Sequence, residues 1–202
     1  HKIYYPQAYD LKTISDFGIT KPYIMTIANF RAKRNPKNIE TSLAVFKQLK
    51  QKGHDIQYVL VGRGWSRSYI SDRLPLSICD DVVRTGNIKP GKIASLLSAA
   101  KVYLHPALQE TFGLAILEAM ACGTAVVSSN WSGIPEIVGD TGLLVNNPLD
   151  VDEISEIVER LLVDNQLRQL LGQKGHERAT TFHWEKTALQ LVDLFNLAES
   201  TV

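Results

Sequence analysis

Two acidic residues, Glu110 and Glu118, stand eight positions apart in the stretch HPALQETFGLAILEAMACG of residues 105–123. A pair of carboxylates could serve as the acid and base of a glycoside hydrolase, whose two groups lie roughly 5 to 9.5 Å apart. Eight residues of α-helix separate two backbone positions by about 12 Å and rotate them by about 80°. Two acids placed in this way would not flank one bond, so the spacing disfavours a hydrolase.

The residues between the two acids predict a site for an anion. Gly113 marks a turn from loop to helix, so the amides of Phe112, Gly113 and Leu114 open that helix without intrahelical partners. Such amides attract phosphate, and a glycine allows its close approach. We expect Glu110 to overhang this point and Glu118 to lie about a turn and a half inside the helix. A nucleotide diphosphate sugar fits this layout, with its diphosphate at the amides, sugar hydroxyls at one acid and ribose hydroxyls at the other.

Short apolar runs alternate with helical patterns along the chain. This alternation predicts an α/β fold with a parallel sheet and helices on both faces. Ligands of such sheets bind in the crevice at the carboxyl ends of the strands. The predicted strands are 23–28, 55–62, 81–86, 101–106, 124–129 and 142–146, and the predicted helices are 39–53, 90–100, 112–123, 151–164, 166–179 and 184–198.

Composition and charge restrict the class of protein. A chain of 202 residues is long enough for one domain with a full core, and a net charge of +1 gives no field that attracts nucleic acid or an anionic membrane. No apolar run approaches the length of a transmembrane segment. Cys79 and Cys122 have neither disulfide-framework nor zinc-site spacing, which suits a reducing compartment. We expect a cytoplasmic protein, at most peripheral to the inner face of a membrane, with no nucleic-acid partner.

The stretch from Glu110 to Glu118, followed by EAMACGTAVV and GIPEIV, resembles the E-x7-E signature of the retaining glycosyltransferase family 4 (group 1), which has the GT-B fold. An isolated E-x7-E would be a weak signal, but here other segments match the C-terminal domain of the same family in order and spacing. The resemblance implies a Rossmann-like parallel sheet with helices on both faces, one half of a GT-B enzyme. The other matching segments are VLVGRG, VVRTGNI, LLSAAKVYLHPA, GDTGLLV and FHWEKTA.

The resemblance also implies roles for the residues around the two acids. Glu110 would contact hydroxyls of the donor sugar, Glu118 would hold the ribose, and the amides between them would take phosphate and sugar oxygens. Asn87 and Ile88 occupy the position where the family places the base. The implied donor is a UDP-, GDP- or ADP-sugar, bound as a substrate, and no tightly bound cofactor is expected.

The family binds the diphosphate with an arginine and a lysine after the first strand, here in ANFRAKRNPKNIETSLAVF, residues 28–46. Counting forward from the strand places Arg31 on the arginine and Arg34 on the lysine. Counting back from the end of the segment places Lys37 on the lysine instead. We therefore assign the arginine role to Arg31, and the lysine role stays open between Lys37 and Arg34.

Cations in this loop could neutralise the charge that develops on the departing diphosphate. The alternative is a solvated basic loop, which is what most charged runs are. Asn35 and Pro36 suit a helix cap and first turn, an arrangement that would direct Arg34 toward the site.

Two further features predict no metal site and no catalytic histidine. Asp150-Val151-Asp152 imitates the D-x-D metal motif of another glycosyltransferase fold. However, Asp150 precedes a helical pattern with Glu153 three residues later, which indicates a capping box. We therefore predict no metal. His105 ends its strand near the crevice, and a structural role is favoured for it over a catalytic one.

The resemblance covers one of the two domains of such an enzyme. Residues 1–20 resemble the segment after the interdomain linker, and residues 182–198 resemble the C-terminal helix that packs back across the cleft. We expect residues 1–202 to form the donor-binding domain, with the N-terminal acceptor domain absent. The full-length enzyme would transfer a hexose to a saccharide or lipid-linked acceptor with retention of configuration, and this chain alone would transfer nothing.

Other functions remain open at this point. A GT-B-like sugar-nucleotide epimerase would bind a similar donor, specifically a uridine nucleotide, and would act without an acceptor. A non-catalytic nucleotide-binding module is also compatible with the motifs. A dinucleotide-binding dehydrogenase would need G-x-G-x-x-G after the first strand. Because residues 28–36 contain no glycine, that class is disfavoured.

Overall fold

A parallel sheet runs through the molecule, whose computed structural model describes residues 3–7, 10–29 and 36–199. The strands are β1 Tyr23–Ile27, β2 Gln57–Val61, β3 Val82–Gly86, β4 Val102–His105, β5 Val126–Ser129 and β6 Leu143–Val145. They pair in parallel in the order β3-β2-β1-β4-β5-β6. This order is that of a Rossmann fold, and the predicted α/β fold with its parallel sheet is confirmed.

Helices cover both faces of the sheet because consecutive parallel strands need a crossover connection. The sequence pattern does not predict the four short helices α1, α3, α4 and α7, since four to six residues are too few to show an apolar period. The helices in the described ranges are α1 Leu11–Asp16, α2 Ile39–Gln51, α3 Arg67–Ser71, α4 Leu76–Cys79, α5 Pro90–Ala99, α6 Leu114–Ala121, α7 Ile134–Val138, α8 Val151–Val163, α9 Asn165–Ala179 and α10 Trp184–Glu199.

Alternate residues of the strands enter two different apolar layers. Along β4, Val102 and Leu104 pack in the layer that contains α2 and α8, whereas Tyr103 packs in the layer that contains α5, α6 and α7. By the same alternation His105 lies on the side of α5 and α6. Both faces of the sheet are buried in this way, which is why the strands read as nearly continuous apolar runs.

The strand order reverses between β1 and β4. β1 pairs with β2 on one side and with β4 on the other. The chain therefore leaves the carboxyl end of β1 in one direction and the carboxyl end of β4 in the other, which opens a crevice between the two loops. This is the position at which a ligand of such a sheet is expected.

Asn38 ties three loops together at this edge of the sheet. Its backbone has a φ of +52°, in the left-handed region that asparagine tolerates, and α2 begins at the next residue. Its side-chain Nδ2 donates to the carbonyl oxygens of Pro106, at 3.0 Å, and Pro148, at 2.7 Å. The predicted cap at Asn35 and Pro36 is wrong, because the helix starts later and the asparagine before it bonds to neighbouring loops. Asn35 itself lies outside the described residues.

The two cysteines are buried and form no disulfide. Burial raises the pKa of the Cys122 thiol to about 12, which fits a cysteine that packs as a small apolar residue. Within the described ranges, no helix combines the length and the apolar composition that a membrane crossing requires.

Gly62 allows the turn after β2 to pass against the end of β1. Its φ is +133°, and a Cβ at this position would lie 1.9 Å from the carbonyl oxygen of Ala28. The same carbonyl accepts a hydrogen bond of 2.9 Å from Nε1 of Trp65. The turn after β2 therefore supports the start of the loop that follows β1.

We expect Gly62→Ala to lower the free energy of unfolding by about 3 kcal/mol or more, because the added methyl group forces the two loops apart. Gly53→Ala is the matched control, since Gly53 has a φ of +90° but no atom within 4 Å of a built Cβ. In the control the free energy of unfolding should fall by about 1 kcal/mol, the cost of placing an alanine at a positive φ. Urea unfolding measures both, and equal losses would show that the contact with Ala28 is unimportant.

Candidate functional site

Glu110 lies in the loop after β4 and is held by three groups. Lys37 forms an ion pair with Oε2, and Nε2 of His105 lies 3.1 Å from the same oxygen. The backbone amide of Thr111 donates to Oε1 at 3.2 Å. The Glu110 side chain is only 10% exposed, so these partners replace most of its hydration.

Hydrogen bonds between two loops place Lys37 beside Glu110. The carbonyl oxygen of Pro36 accepts from the amides of Leu108, at 2.8 Å, and Gln109, at 3.3 Å. The loop after β1 is thereby fastened to the loop after β4 one residue before Lys37 and one residue before Glu110. The ion pair is thus a consequence of the backbone pairing as well as of charge.

The environment of Glu110 keeps its carboxylate ionised. The hydrogen bond from His105 and then the charge of Lys37 lower the pKa of Glu110 to about 2. His105 itself is fully buried, and this burial lowers the pKa of its imidazole, so the ring is neutral near pH 7. Glu110 can therefore only accept hydrogen bonds, and Nε2 of His105 must carry the proton between them.

Gly113 places unpaired backbone amides beside Glu110. It caps the start of α6 with a φ of +92°, and its carbonyl oxygen accepts from the amide of Ile116 at 2.9 Å. In the described part of the chain, the amides of Phe112, Gly113 and Leu114 have no hydrogen-bond partner. A Cβ on Gly113 would lie 3.3 Å from Cγ of Glu110, so the acid and these amides border the same small space. The arrangement can bind an anion next to an ionised carboxylate.

Glu118 lies one turn inside α6 and faces a different hollow. It lines a cleft of about 460 Å³ together with Tyr4, Leu117, Phe182 and Trp184. Burial raises the pKa of Glu118, and a hydrogen bond from the hydroxyl of Tyr4 opposes this rise. The structure thus puts the two acids on either side of the first turn of α6, in environments that shift their pKa values in opposite directions.

The side chains of Phe112 and Leu114 extend this cleft toward α10. Both side chains are largely exposed, and the ring of Phe112 meets the ring of Phe182 edge to face at 6.2 Å between centroids. The backbone amides of these two residues could therefore bind an anion, whereas their side chains line an apolar wall.

The other predicted site residues are not brought to Glu110. Asn87 is exposed and Ile88 is half-buried against the α5 and α6 layer, at the end of β3, an edge strand that β2 and β1 separate from β4. No hydrogen bond or ion pair in the described ranges joins them to either acid. Arg31 and Arg34 lie outside the described residues. Lys37 is the described member of the basic set, and it reaches Glu110.

The sequence does not predict the contact of His105 with the first acid, nor the parts of Asn38 and Tyr4. The structural role favoured for His105 is compatible with this contact. The signal available in the sequence is its place at the end of a strand, five residues before Glu110. Tyr4 gave no signal, because only the fold brings it to Glu118. The capping prediction is confirmed at Asp150, whose side chain accepts from the amide of Glu153 at 3.0 Å.

Comparison with known proteins places these features in a family. The family model of glycosyl transferases group 1 matches residues 11–178. O-antigen chain mannosyltransferase B of Escherichia coli is 33% identical over 165 residues, which are 80% of this chain and 43% of that protein.

Two solved structures share the fold. Sucrose-phosphate synthase from Thermosynechococcus elongatus aligns with a TM-score of 0.80 at 29% identity, over 100% of this chain and 51% of that one. The C-terminal domain of LpcC, a glycosyl transferase group 1 family protein from Francisella tularensis, aligns with a TM-score of 0.72 at 25% identity, over 89% of this chain and 95% of that domain. The chain thus spans about half the length of the relatives other than the isolated domain.

The low pKa of Glu110 links stability to pH. This carboxyl has a pKa of about 2 in the fold, against about 4.3 in an unfolded chain. A carboxyl with a lower pKa in the folded state stabilises the fold above its unfolded pKa, and the contribution disappears as pH falls from about 4 toward about 2. Glu110→Gln should therefore be less stable than the wild type by up to about 3 kcal/mol at pH 7 and should approach it at low pH.

Urea unfolding at pH 7, 5 and 3 measures this difference. Glu156→Gln on an exposed position of α8 is the control and should show little change at any pH. A difference for Glu110→Gln that stays constant from pH 7 to pH 3 would contradict the assigned electrostatics.

Proposed function

The chain belongs to the group 1 glycosyltransferase family, and on that basis we propose that it forms the half of a GT-B enzyme that binds the nucleotide-sugar donor. The full-length protein transfers a hexose from a nucleoside diphosphate sugar to a hydroxyl of a saccharide or lipid-linked acceptor, with retention of anomeric configuration. The observation that carries the proposal is the meeting of ionised Glu110, Lys37 and the unpaired amides of α6 at the carboxyl edge of the sheet.

The diphosphate of the donor binds at the start of α6. The amides of Phe112, Gly113 and Leu114 supply donors for its oxygens, and the helix dipole favours its negative charge. Lys37 fills the lysine role, because its ammonium group reaches Oε2 of Glu110, the acid beside the start of α6, and has three N–H donors to share. Arg31 supplies the second cation, and Arg34 is not needed for this role.

Glu110 binds hydroxyls of the donor sugar. In a nucleotide sugar the anomeric carbon is bonded directly to the β-phosphate, so the sugar must lie within one ring of the anion site. Glu110 meets this condition, since its Cγ lies 3.3 Å from the position that a Cβ of Gly113 would take. As an ionised acceptor it can bind hydroxyl donors of the sugar in a directional way.

Glu118 binds the ribose on the opposite side of the diphosphate. The ribose is bonded to the α-phosphate, so its binding group must lie away from the sugar, and Glu118 lies one turn further into α6. Tyr4 donates a hydrogen bond to this carboxylate, so the ribose hydroxyls either share Glu118 with Tyr4 or replace it. The base rests against the backbone of Asn87 and the side chain of Ile88.

The bond that breaks in the transfer joins the anomeric carbon to an oxygen of the diphosphate. Negative charge develops on that oxygen as the bond lengthens, and the amides of α6 and the positive charges of Lys37 and Arg31 stabilise it. The acceptor hydroxyl, which the second domain would hold, bonds to the face that the diphosphate leaves, because configuration is retained. Its proton passes to the departing diphosphate oxygen on that face.

An N-terminal domain completes the enzyme. α10 carries exposed apolar side chains, among them Trp184 at 74% and Phe195 at 68% exposed, which suit packing against a second domain. The alignment of this chain with a solved C-terminal domain supports the same division. Such a domain would close the cleft and hold acceptor and donor together.

Replacement of each acid should weaken a different ligand. Calorimetric titration with UDP, GDP and ADP, and with their hexose derivatives, identifies the donor first. Glu118→Ala should then weaken nucleotide and nucleotide sugar alike, because ribose is common to both. Glu110→Ala should weaken the nucleotide sugar by about 1–3 kcal/mol and leave the nucleotide nearly unchanged. Glu156→Ala, at an exposed position of α8, should leave both affinities unchanged. Equal effects of the two acid variants on free nucleotide would contradict the assignment.

Neutralising the basic loop should weaken diphosphates selectively. Arg31→Ala and Lys37→Ala should each lower the affinity for a nucleoside diphosphate by roughly tenfold or more and leave the bare nucleoside unaffected, since both contact phosphate. Lys174→Ala on the exposed surface of α9 controls for net charge. A larger loss for Arg34→Ala than for Lys37→Ala would transfer the lysine role to Arg34. Unchanged affinity in all three loop variants would mean that the loop is only a solvated surface.

A further inference from the structure

His105 uses both ring nitrogens inside the core. Its side chain is fully buried at the end of β4, with Nε2 at 3.1 Å from Oε2 of Glu110 and Nδ1 at 3.4 Å from the hydroxyl of Tyr103. The two rings stack, with 5.8 Å between centroids and 16° between planes. The backbone oxygen of His105 also accepts from Oγ of Ser128 at 2.6 Å. Ring and backbone are therefore both fixed.

Hydrogen-bond chemistry determines the direction of this chain of contacts. A carboxylate has no proton to donate, so the proton between His105 and Glu110 belongs to Nε2. A neutral imidazole then has a lone pair on Nδ1, which can accept from the hydroxyl of Tyr103. Burial raises the pKa of Tyr103 well above its usual value, so that hydroxyl keeps its proton. The hydroxyl of Tyr103 thus donates to Nδ1 of His105, and Nε2 of His105 donates to Glu110.

The three partners of Glu110 differ in whether they can keep their contact with its carboxylate when a ligand binds. Lys37 is a flexible cation that a diphosphate also attracts. The amide of Thr111 belongs to the same loop as Glu110 and moves with it. His105 alone among these three holds Glu110 from the buried strand, and no incoming ligand competes for its Nε2, because the ring is fully buried.

We propose that His105 is a positioning residue, whose Nε2–H fixes Oε2 of Glu110 so that the remaining carboxylate lone pairs face the hydroxyls of the donor sugar. The inference rests on the proposed donor site, which it deepens. His105 contacts neither sugar nor diphosphate, and Tyr103 acts one step further back by donating to Nδ1, which supports the Nε2–H tautomer that Glu110 selects.

The charged and titratable groups that face His105 are Glu110, Lys37 and Tyr103, with Glu118 acting on Tyr103 through its charge. The positive charge of Lys37 and the burial of the ring both disfavour an imidazolium, whereas Glu110 favours it. The neutral Nε2–H form therefore holds across the neutral pH range.

Nitrogen NMR of the wild-type chain tests the assigned tautomer without any substitution. We expect a neutral imidazole protonated at Nε2. A ring protonated at Nδ1 alone, or at both nitrogens at pH 7, would overturn the proposal.

Two variants then separate hydrogen bonding from packing. His105→Gln retains an N–H donor toward Glu110, whereas His105→Phe retains the ring and its stacking on Tyr103 but has no donor. Carbon NMR titration of the glutamate carboxyls, with Glu110 identified from the spectrum of Glu110→Gln, should show a low pKa in the glutamine variant. In the phenylalanine variant the pKa should rise toward its ordinary value of about 4.

The two variants should also differ in their affinity for the nucleotide sugar. His105→Phe should bind the nucleotide sugar on the order of tenfold more weakly and the free nucleoside diphosphate as well as the wild type. His105→Gln should stay close to the wild type for both ligands. A folded His105→Phe with unchanged Glu110 pKa and sugar affinity would overturn the proposal, as would equal losses in the two variants.

If His105→Phe does not fold, Tyr103→Phe and His105→Gln carry the test. Tyr103→Phe removes the donor to Nδ1, so it should raise the pKa of Glu110 and weaken the sugar-bearing ligand more than His105→Gln does, and the opposite order would overturn the proposal. Failure of the donor site is distinguishable, because the wild type would then bind no nucleotide sugar while the tautomer and carboxyl results still held.

Discussion

The carboxylate of Glu110 remains ionised although its side chain is only 10% exposed, and the arrangement of the site depends on how this is achieved. Removing a carboxylate from water costs several kcal/mol unless charge and hydrogen bonds replace the hydration. Here an ammonium group, a neutral imidazole and a backbone amide replace it. Each comes from a different place in the chain, so the ionised state of Glu110 depends on the loops staying together.

The topology of the sheet brings those loops together. β1 and β4 are neighbours although 74 residues separate the end of β1 from the start of β4, and the loops that follow them diverge at the crevice. Asn38 and the carbonyl oxygen of Pro36 then hold the loops at hydrogen-bond distance. Gly62 supports the start of the first loop from β2. The site is therefore carried by loops, but each loop is fastened to a buried strand, which gives the precision that a binding site needs.

Glu110 and Glu118 are in different electrostatic environments. Glu110 has a lowered pKa because donors and a cation surround it, whereas Glu118 has a raised pKa because burial is opposed only by Tyr4. Further hydrogen bonds donated to Glu118 would offset this burial and lower its pKa. Glu110 needs no such relief and instead offers a fixed, fully charged acceptor beside the anion site.

The sequence by itself determined the parallel α/β fold, because strands covered on both faces must be apolar along their whole length and helices must carry a periodic apolar face. It also predicted the unpaired amides at the start of α6, since Gly113 lies between a strand and a helical pattern. Apolar patterns and a glycine before a helix depend only on residues that are close in sequence, so the sequence alone reveals them.

Only the tertiary structure decided which residues meet at that site. The helix after β1 begins at Ile39, as its pattern predicts, but the residue before it is Asn38, whose bonds to two loops distant in sequence no local pattern shows. Lys37 contacts Glu110 across 73 residues, and His105 reaches it from the core, where alternation along β4 turns the ring toward α6. No local pattern contains such contacts, because they depend on strand order and on the hydrogen bonds that close the loops.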